Sequence, residues 1–245
     1  MHQYLVKKID KQKNVIFHED DIFKITKVHR IKLYEEVCVL YNQEKFIAKI
    51  TNLKPLTAEV VGLWTNIQRQ YDLDVFLGSL KAKPFEDAIN KLTQLNVRTC
   101  AQLILQRSYD CEQIKTERIH KIIETATNQA KRNDLMTFQA NVRFQDLCEQ
   151  INMYDAVFVA YENNAPTYIY DLQTNWTKLE KIAVVIGGEG GFSDTEITQL
   201  QTYKNVFCIK LSPTILRAET AAVYLCSVLD QYLNFQRRSH ETKTN

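Results

Sequence analysis

Four of the six glycines in this chain fall within five positions, Gly187-Gly188-Glu189-Gly190-Gly191. They follow the apolar run Ala183-Val184-Val185-Ile186 and precede Phe192-Ser193-Asp194-Thr195-Glu196. Val184 to Ile186 is β-branched and apolar throughout, as in a parallel strand buried on both faces. Ser193 with Glu196 three residues later spells a capping box, so a helix is predicted to begin there. Strand, glycine turn and helix in that order make a βα junction, and open parallel sheets place their ligands beyond the carboxyl ends of the strands. Glycine permits positive φ and close backbone approach, so the cluster points to a ligand crevice. A tight turn without a ligand is the alternative reading.

Two common glycine-rich sites are excluded by spacing. No G-x-x-x-x-G-K-[ST] occurs, which removes the P-loop. Gly188 to Ser193 does not complete G-x-G-x-x-G, and Phe207-Cys208-Ile209-Lys210-Leu211, about 20 residues on, lacks the acidic residue that a ribose hydroxyl requires.

Over 245 residues the chain has room for one large or two small domains. Its apolar fraction of 45% and charged fraction of 24% match a globular protein. The start, Met1 to Lys8, has no apolar core of a signal peptide and no run reaches membrane-spanning length, so the expectation is a cytoplasmic protein with no membrane association. The six cysteines, Cys38, Cys100, Cys111, Cys148, Cys208 and Cys226, form no C-x-x-C. They are expected to be buried free thiols, with no metal site.

Residues 1–70 are rich in lysine and read as short strands. Val37 to Tyr41 and Phe46 to Ile50 flank a turn at Asn42-Gln43-Glu44-Lys45, and Ala58 to Val61 follows the Lys54-Pro55 break. This pattern predicts a small β-barrel, and its basic lean is consistent with phosphate contacts or with an ordinary solvated surface. From residue 71 to 245 strands and helices alternate. Strands are predicted at Asp74 to Gly78, Val97 to Leu105, Ala156 to Ala160, Ala183 to Ile186 and Val206 to Ile209. Helical spacing links Phe85, Ala88, Ile89, Leu92 and Leu95 after Pro84. It also links Ile119, Ile122, Ile123, Ala126 and Ala130, and Ala222, Leu225, Cys226, Leu229 and Leu233. The expected class is α/β, a mostly parallel sheet with helices on both faces.

Leu211 to Ala221 is a second strand-to-helix loop, and its polar groups are expected to converge with the glycine loop. Arg217 and Glu219 stand at the mouth of the last helix, where a surface ion pair or a helix-cap pair is the plain alternative to a functional role.

At these two loops the chain resembles the RsmE family of SPOUT, or trefoil-knot, RNA methyltransferases. Ile186 to Ser193 is similar to the family's I-G-P-E-G-G-F-S, and Leu211-Ser212 with Ile215 to Ala221 to its L-G-x-x-I-L-R-x-E-T-A. Shorter likenesses lie at His18 through Lys32, Gln106-Arg107-Ser108 and Asn128 to Arg132. Gly188 stands where the family has proline, Ser212 where it has glycine and Ala218 where it has threonine.

The resemblance implies a PUA-like RNA-binding barrel at 1–70 and a SPOUT methyltransferase domain at 71–245 with a C-terminal knot. It implies that S-adenosyl-L-methionine binds at Ala160 and Tyr161, at Ile186, Gly187, Gly188, Glu189, Gly190 and Gly191, and at Leu211, Ile215 and Leu216. Arg217 and Glu219 are the implied catalytic pair, and His18, Lys27, Arg30, Arg107 and Arg132 the implied RNA contacts. The implied activity is methylation of N3 of a uridine in 16S ribosomal RNA, free or in the small subunit, by a homodimer. A knotted methyltransferase on another RNA, or a non-catalytic RNA-binding protein of ribosome assembly, remains an alternative.

Overall fold

The computed structural model describes residues 1–65, 69–108, 114–162 and 167–244, with side chains through Arg237. Cys111 lies outside the described residues; Cys38, Cys100, Cys148 and Cys226 are buried free thiols and Cys208 is half-buried. The chain divides into two units, Met1–Gln68 with Glu124–Leu135, and Arg69–Ile123 with Met136–Asn245. The sequence reading set one boundary at residue 70 and left 124–135 in the second domain. Within the first unit Gln3 Nε2 donates to the Arg132 carbonyl at 2.9 Å, and the buried Lys45 ammonium donates to the Lys131 carbonyl. Such a discontinuous membership is invisible to a reading that moves along the chain.

In the first unit, β1 (Gln3–Ile9), β2 (Asn14–Phe17), β3 (Glu36–Tyr41), β4 (Glu44–Leu53) and β5 (Leu56–Leu63) close a barrel in the order β1-β2-β5-β4-β3. Between β2 and β3 lie α1 (Glu19–Phe23) and a π-helical turn, Lys24–Val28. The β3–β4 hairpin turns on Asn42 and Gln43 alone, both at positive φ (50° and 64°). That is the twist of a type I′ turn, so β4 starts at Glu44, earlier than the expected four-residue loop allowed. Alternate residues such as Val37, Val39, Ala48 and Ile50 fill the interior.

The second unit contains β6 (Asp72–Gly78), α2 (Ala82–Gln94), β7 (Thr99–Ile104), β8 (Thr137–Arg143), α4 (Phe144–Gln150), β9 (Ala156–Ala160), β10 (Lys181–Ile186), α5 (Asp194–Leu200), β11 (Val206–Ile209) and α6 (Ala218–Thr244); α3 (Thr116–Ala130) contributes residues to both units. The six strands form one sheet, β11-β9-β10-β6-β7-β8, with every neighbouring pair parallel. The α/β class is as expected, but the sheet has six strands where the sequence reading found five. The missing strand, β8, is a mostly exposed edge strand whose sequence, TFQANVR, does alternate Phe138, Ala140 and Val142 with polar residues, a period-2 signal that the sequence reading does not use.

Successive residues of the central strands point to opposite faces. Ile182, Val184 and Ile186 join Leu73, Val75 and Leu77 in a core with α2 and α6, whereas Ala183 and Val185 join Phe76, Val157 and Val159 in a second core with α4 and α5. Leaving β11, the Lys210 amide donates to the Thr167 carbonyl at 3.0 Å. Further on, Tyr232 of α6 packs edge-on against Trp176, with ring centroids 4.8 Å apart. The C-terminal segment is thereby drawn against the connection between β9 and β10, as the expected trefoil knot, an exception to the rule that chains do not thread their own loops, requires.

At the amino ends of β6 and β7, Arg98 grips the buried Asp74 with both Nε and Nη2, reaches Asp72 at 2.8 Å, and Asp74 also accepts from the Tyr154 hydroxyl at 3.0 Å. Replacing Arg98 by Met leaves a buried carboxylate without its cation, and the expected loss is on the order of 3 kcal/mol at pH 7. Urea midpoints of wild type and R98M at pH 7 check this; an unchanged midpoint would contradict it.

Candidate active site

A cavity of about 610 Å³ opens in the second unit beyond the carboxyl ends of five strands, within the roughly 300–1,000 Å³ span of small-molecule sites. Leu80, Lys81 and Pro84 follow β6, Arg107 follows β7, Ala160, Tyr161 and Glu162 end and follow β9, and Ile186 to Phe192 end and follow β10. Ile209 to Ala221, apart from Pro213 and Thr220, complete the wall after β11. All eleven residues expected to hold a cofactor line this one cavity, together with Arg107, Arg217 and Glu219. Lys81, Glu162 and Lys210 were not anticipated. The rule that ligand groups lie just past each strand end nominates them once it is applied to β6, β9 and β11 as well as to the glycine loop.

The glycine loop is a β-turn in which the Gly191 amide donates to the Gly188 carbonyl at 3.0 Å, with Glu189 at its tip. A Cβ at Gly188 would stand 2.7 Å from the Ser79 carbonyl oxygen, and one at Gly190 would stand 2.5 Å from that of Arg107. Those glycines are demanded by neighbouring loops, not by a ligand alone. Gly191 is different: its φ is +65° and a Cβ there would meet nothing within 4 Å. The departure from proline at Gly188 thus sits where this chain's own β6–α2 connection passes at backbone distance.

Downstream of the turn the capping box forms as expected. Ser193 Oγ accepts from the Glu196 amide, and the Glu196 carboxylate accepts from the Ser193 amide at 2.7 Å. Glu196 also reaches the preceding loop, accepting from the Gln106 amide at 2.8 Å, and is buried. In the second loop the Ser212 hydroxyl, another departure, accepts from the Thr214 amide at 3.2 Å and so shapes the turn.

Arg217 immediately precedes α6, and its carbonyl accepts the Ala221 amide at 2.8 Å. Its side chain is 83% exposed and lies 3.8 Å from Glu219. An ion pair this open is worth at most about 1 kcal/mol, so the guanidinium remains available to an anion. Among the described residues no group of three or more His, Cys, Asp or Glu side chains is placed to hold a metal.

The remaining RNA-contact candidates lie in the first unit. Lys27, in the π-helical turn, and Arg30, at φ 51°, are exposed, and His18 is half-buried at the start of α1. Arg132 corrects the expectation: its side chain is 3% exposed and its guanidinium pairs with Asp134 at 3.3 Å. It comes two residues after the end of α3, where no periodicity marks an inward side chain.

An all-parallel sheet with a cavity at its carboxyl edge defines an α/β domain built to bind a small molecule. The chain belongs to the RNA methyltransferase domain family, which matches residues 68–230. It is 26% identical over 225 residues to the Bacillus subtilis protein named ribosomal RNA small subunit methyltransferase E, covering 86% of this chain and 87% of that one. Its likeness to the protein of the same name from Mesomycoplasma hyopneumoniae is 28% over 234 residues, 92% of this chain and 97% of that one. Solved structures share the fold. A Legionella pneumophila methyltransferase in complex with SAM superposes with a TM-score of 0.80 at 20% identity, over 95% of this chain and 98% of that one. A Neisseria gonorrhoeae ribosomal RNA small subunit methyltransferase E bound to S-adenosyl methionine gives 0.78 at 17%, with the same coverage. No described helix is long and apolar enough to cross a membrane.

The two glycine environments separate experimentally. Gly190→Val forces the Arg107 backbone aside and is expected to cost about 1–3 kcal/mol. Gly191→Asn keeps a residue tolerant of positive φ in open space and is expected to stay within about 1 kcal/mol. Thermal melts of the two variants measure the difference; equal melting points would contradict it.

Proposed function

We propose that the cavity binds S-adenosyl-L-methionine and that the protein methylates N3 of a uridine in 16S ribosomal RNA. The observation that carries this reading is the meeting of the glycine loop and the Leu211–Glu219 loop, which carries Arg217, in one cavity of a chain of the RNA methyltransferase domain family. The residues suit the cofactor. Ile186, Leu211, Leu216 and Ala221 offer an apolar wall, the glycine turn offers bare backbone, and Glu162, Glu189 and Glu219 offer negative charge toward a cation. When bound, S-adenosyl-L-methionine supplies an electrophilic methyl group on a sulfonium.

Uracil N3 carries a proton at neutral pH, which is released to bulk water before transfer, and the resulting anion is delocalised onto the two flanking oxygens. Arg217 is the group placed to stabilise that charge, as a fixed cation does where water is thin. Glu219, 3.8 Å away, orients the guanidinium. The apolar wall excludes water and so strengthens both interactions. Arg217 is too exposed in a single chain to act in a dry site, and a cover is required. Ile215 is 84% exposed beside it, and Tyr224 and Phe235 of α6 are exposed. These apolar groups support a homodimer in which the second copy covers the site; a monomer in analytical ultracentrifugation at assay concentrations would count against this. Lys27 and Arg30 of the first unit are the RNA contacts in this reading.

Arg217→Ala is expected to lower methyl transfer at least a hundredfold with S-adenosyl-L-methionine affinity retained in calorimetry, the size seen when one charge-stabilising donor is removed. Digestion of the product RNA followed by mass spectrometry is expected to yield 3-methyluridine. Undiminished turnover in R217A would sink the role of Arg217, and another modified nucleoside would sink the target atom.

A further inference from the structure

We propose that Lys81 and Arg107 grip a phosphodiester of the bound RNA at the rim of the cavity, and that the buried Glu196 is the positioning residue that holds Arg107 there. The inference rests on the methyltransferase reading above and adds to it the anchor for the substrate's backbone.

Three observations carry it. Both cations line the cavity, and both side chains are exposed. Neither side chain forms an ion pair among the described residues, although the Lys81 amide donates to Glu189 Oε1 at 3.5 Å and other arginines are paired: Arg98 with Asp72 and Asp74, Arg118 with Glu86, and Arg143 with Asp146. Although Glu162, Glu189 and Glu219 face the same cavity, two cations outside any ion pair on separate loops give a polyanion two points of contact at its rim.

The loops that carry them are also fixed. The Ser79 amide donates to the Leu103 carbonyl at 3.1 Å, tying the β6 exit to β7. Leu105 to Ser108 is a β-turn closed by the Ser108 amide on the Leu105 carbonyl at 3.0 Å, and the Leu105 amide returns a bond to Ser108 Oγ at 2.9 Å. Arg107 is the third residue of that turn, and its carbonyl is the one that Gly190 packs against.

Glu196 closes the arrangement. It is 5% exposed and accepts from the Gln106 amide at 2.8 Å, the Ser193 amide at 2.7 Å and Ser193 Oγ at 3.0 Å. Burying a carboxylate is costly unless several donors meet it. Ser193 already caps α5, so the bond to Gln106 is an expense beyond helix capping, and its effect is to pin the residue before Arg107. Chemically the pair is suited to phosphate: the guanidinium as a planar fork, the ammonium as a movable point charge.

The test uses the full-length protein and a 16S RNA fragment that the wild type methylates. Lys81→Ala and Arg107→Ala are each expected to raise the RNA Kd about tenfold and to reduce the slope of log Kd against log salt by about 1. In methyl transfer, KM for RNA rises more than kcat falls, and S-adenosyl-L-methionine affinity in calorimetry is retained. Arg107→Lys keeps the wild-type salt slope. Glu196→Gln keeps the size of the side chain and is expected to weaken RNA binding in the wild type but to add nothing in the R107A background. Additive effects in that cycle would reduce Glu196 to a helix cap and overturn its positioning role. An unchanged salt slope in K81A and R107A, or a loss of cofactor affinity, would overturn the phosphate grip. If the wild type transfers no methyl to RNA, the parent reading fails, whereas the salt slopes still decide this one.

Discussion

The backbone contact between Gly78 and Gly188 is what the site depends on. A Cβ on Gly78 would lie 2.1 Å from the Gly188 amide nitrogen, so the strand ends of β6 and β10 meet at a distance that no side chain permits. From that contact the rest follows in order. The glycine turn lies against Ser79 on one side and against the Arg107 turn on the other, and the floor of the cavity is made of backbone. Parallel strands bring their carboxyl ends to one edge of the sheet, but only this close packing turns three separate loops into one wall.

Charge is distributed along the sheet with the same logic. At the amino ends of the strands Arg98 is saturated by Asp72 and Asp74, and burial with the neighbouring Asp74 charge pushes the Tyr154 phenol up. Likewise the fully buried Cys100 thiol is pushed up to about 12 by burial. These groups are stabilised in single protonation states and hold the sheet together. At the carboxyl ends the Lys81 and Arg107 side chains form no ion pair among the described residues and Arg217 has only a distant partner, while Glu162, Glu189 and Glu219 face the same cavity. Charges of both signs are thus left outside tight pairs at the edge where ligands of a parallel sheet belong.

Much of this was legible along the chain. Strands β6, β9, β10 and β11, the apolar stripes of α2 and α6 and the capping box at Ser193 are local patterns, set by side-chain periodicity and by hydrogen bonds spanning three residues. The cofactor loops were legible because two long motifs stand at the right ends of predicted strands. What escaped was weakly marked or had no local signature. Strand β8 alternates Phe138, Ala140 and Val142 with polar residues but lies on an exposed edge, Lys81 is one lysine among many, and Arg132 is polar yet faces inward. The glycines were read as making room for a ligand, and two of them make room for neighbouring loops first.

Residue pattern alone therefore established the two-part organisation, the α/β class, the family likeness and the segments that meet at the site. It did so because burial and capping impose periodicities that a single segment records. Which cations stay unpaired, how Glu196 reaches Gln106 ninety residues away, and which stretch completes the barrel unit were settled by folding. Those properties belong to contacts between distant residues, and a pairing or a close approach has no trace in either partner's local sequence.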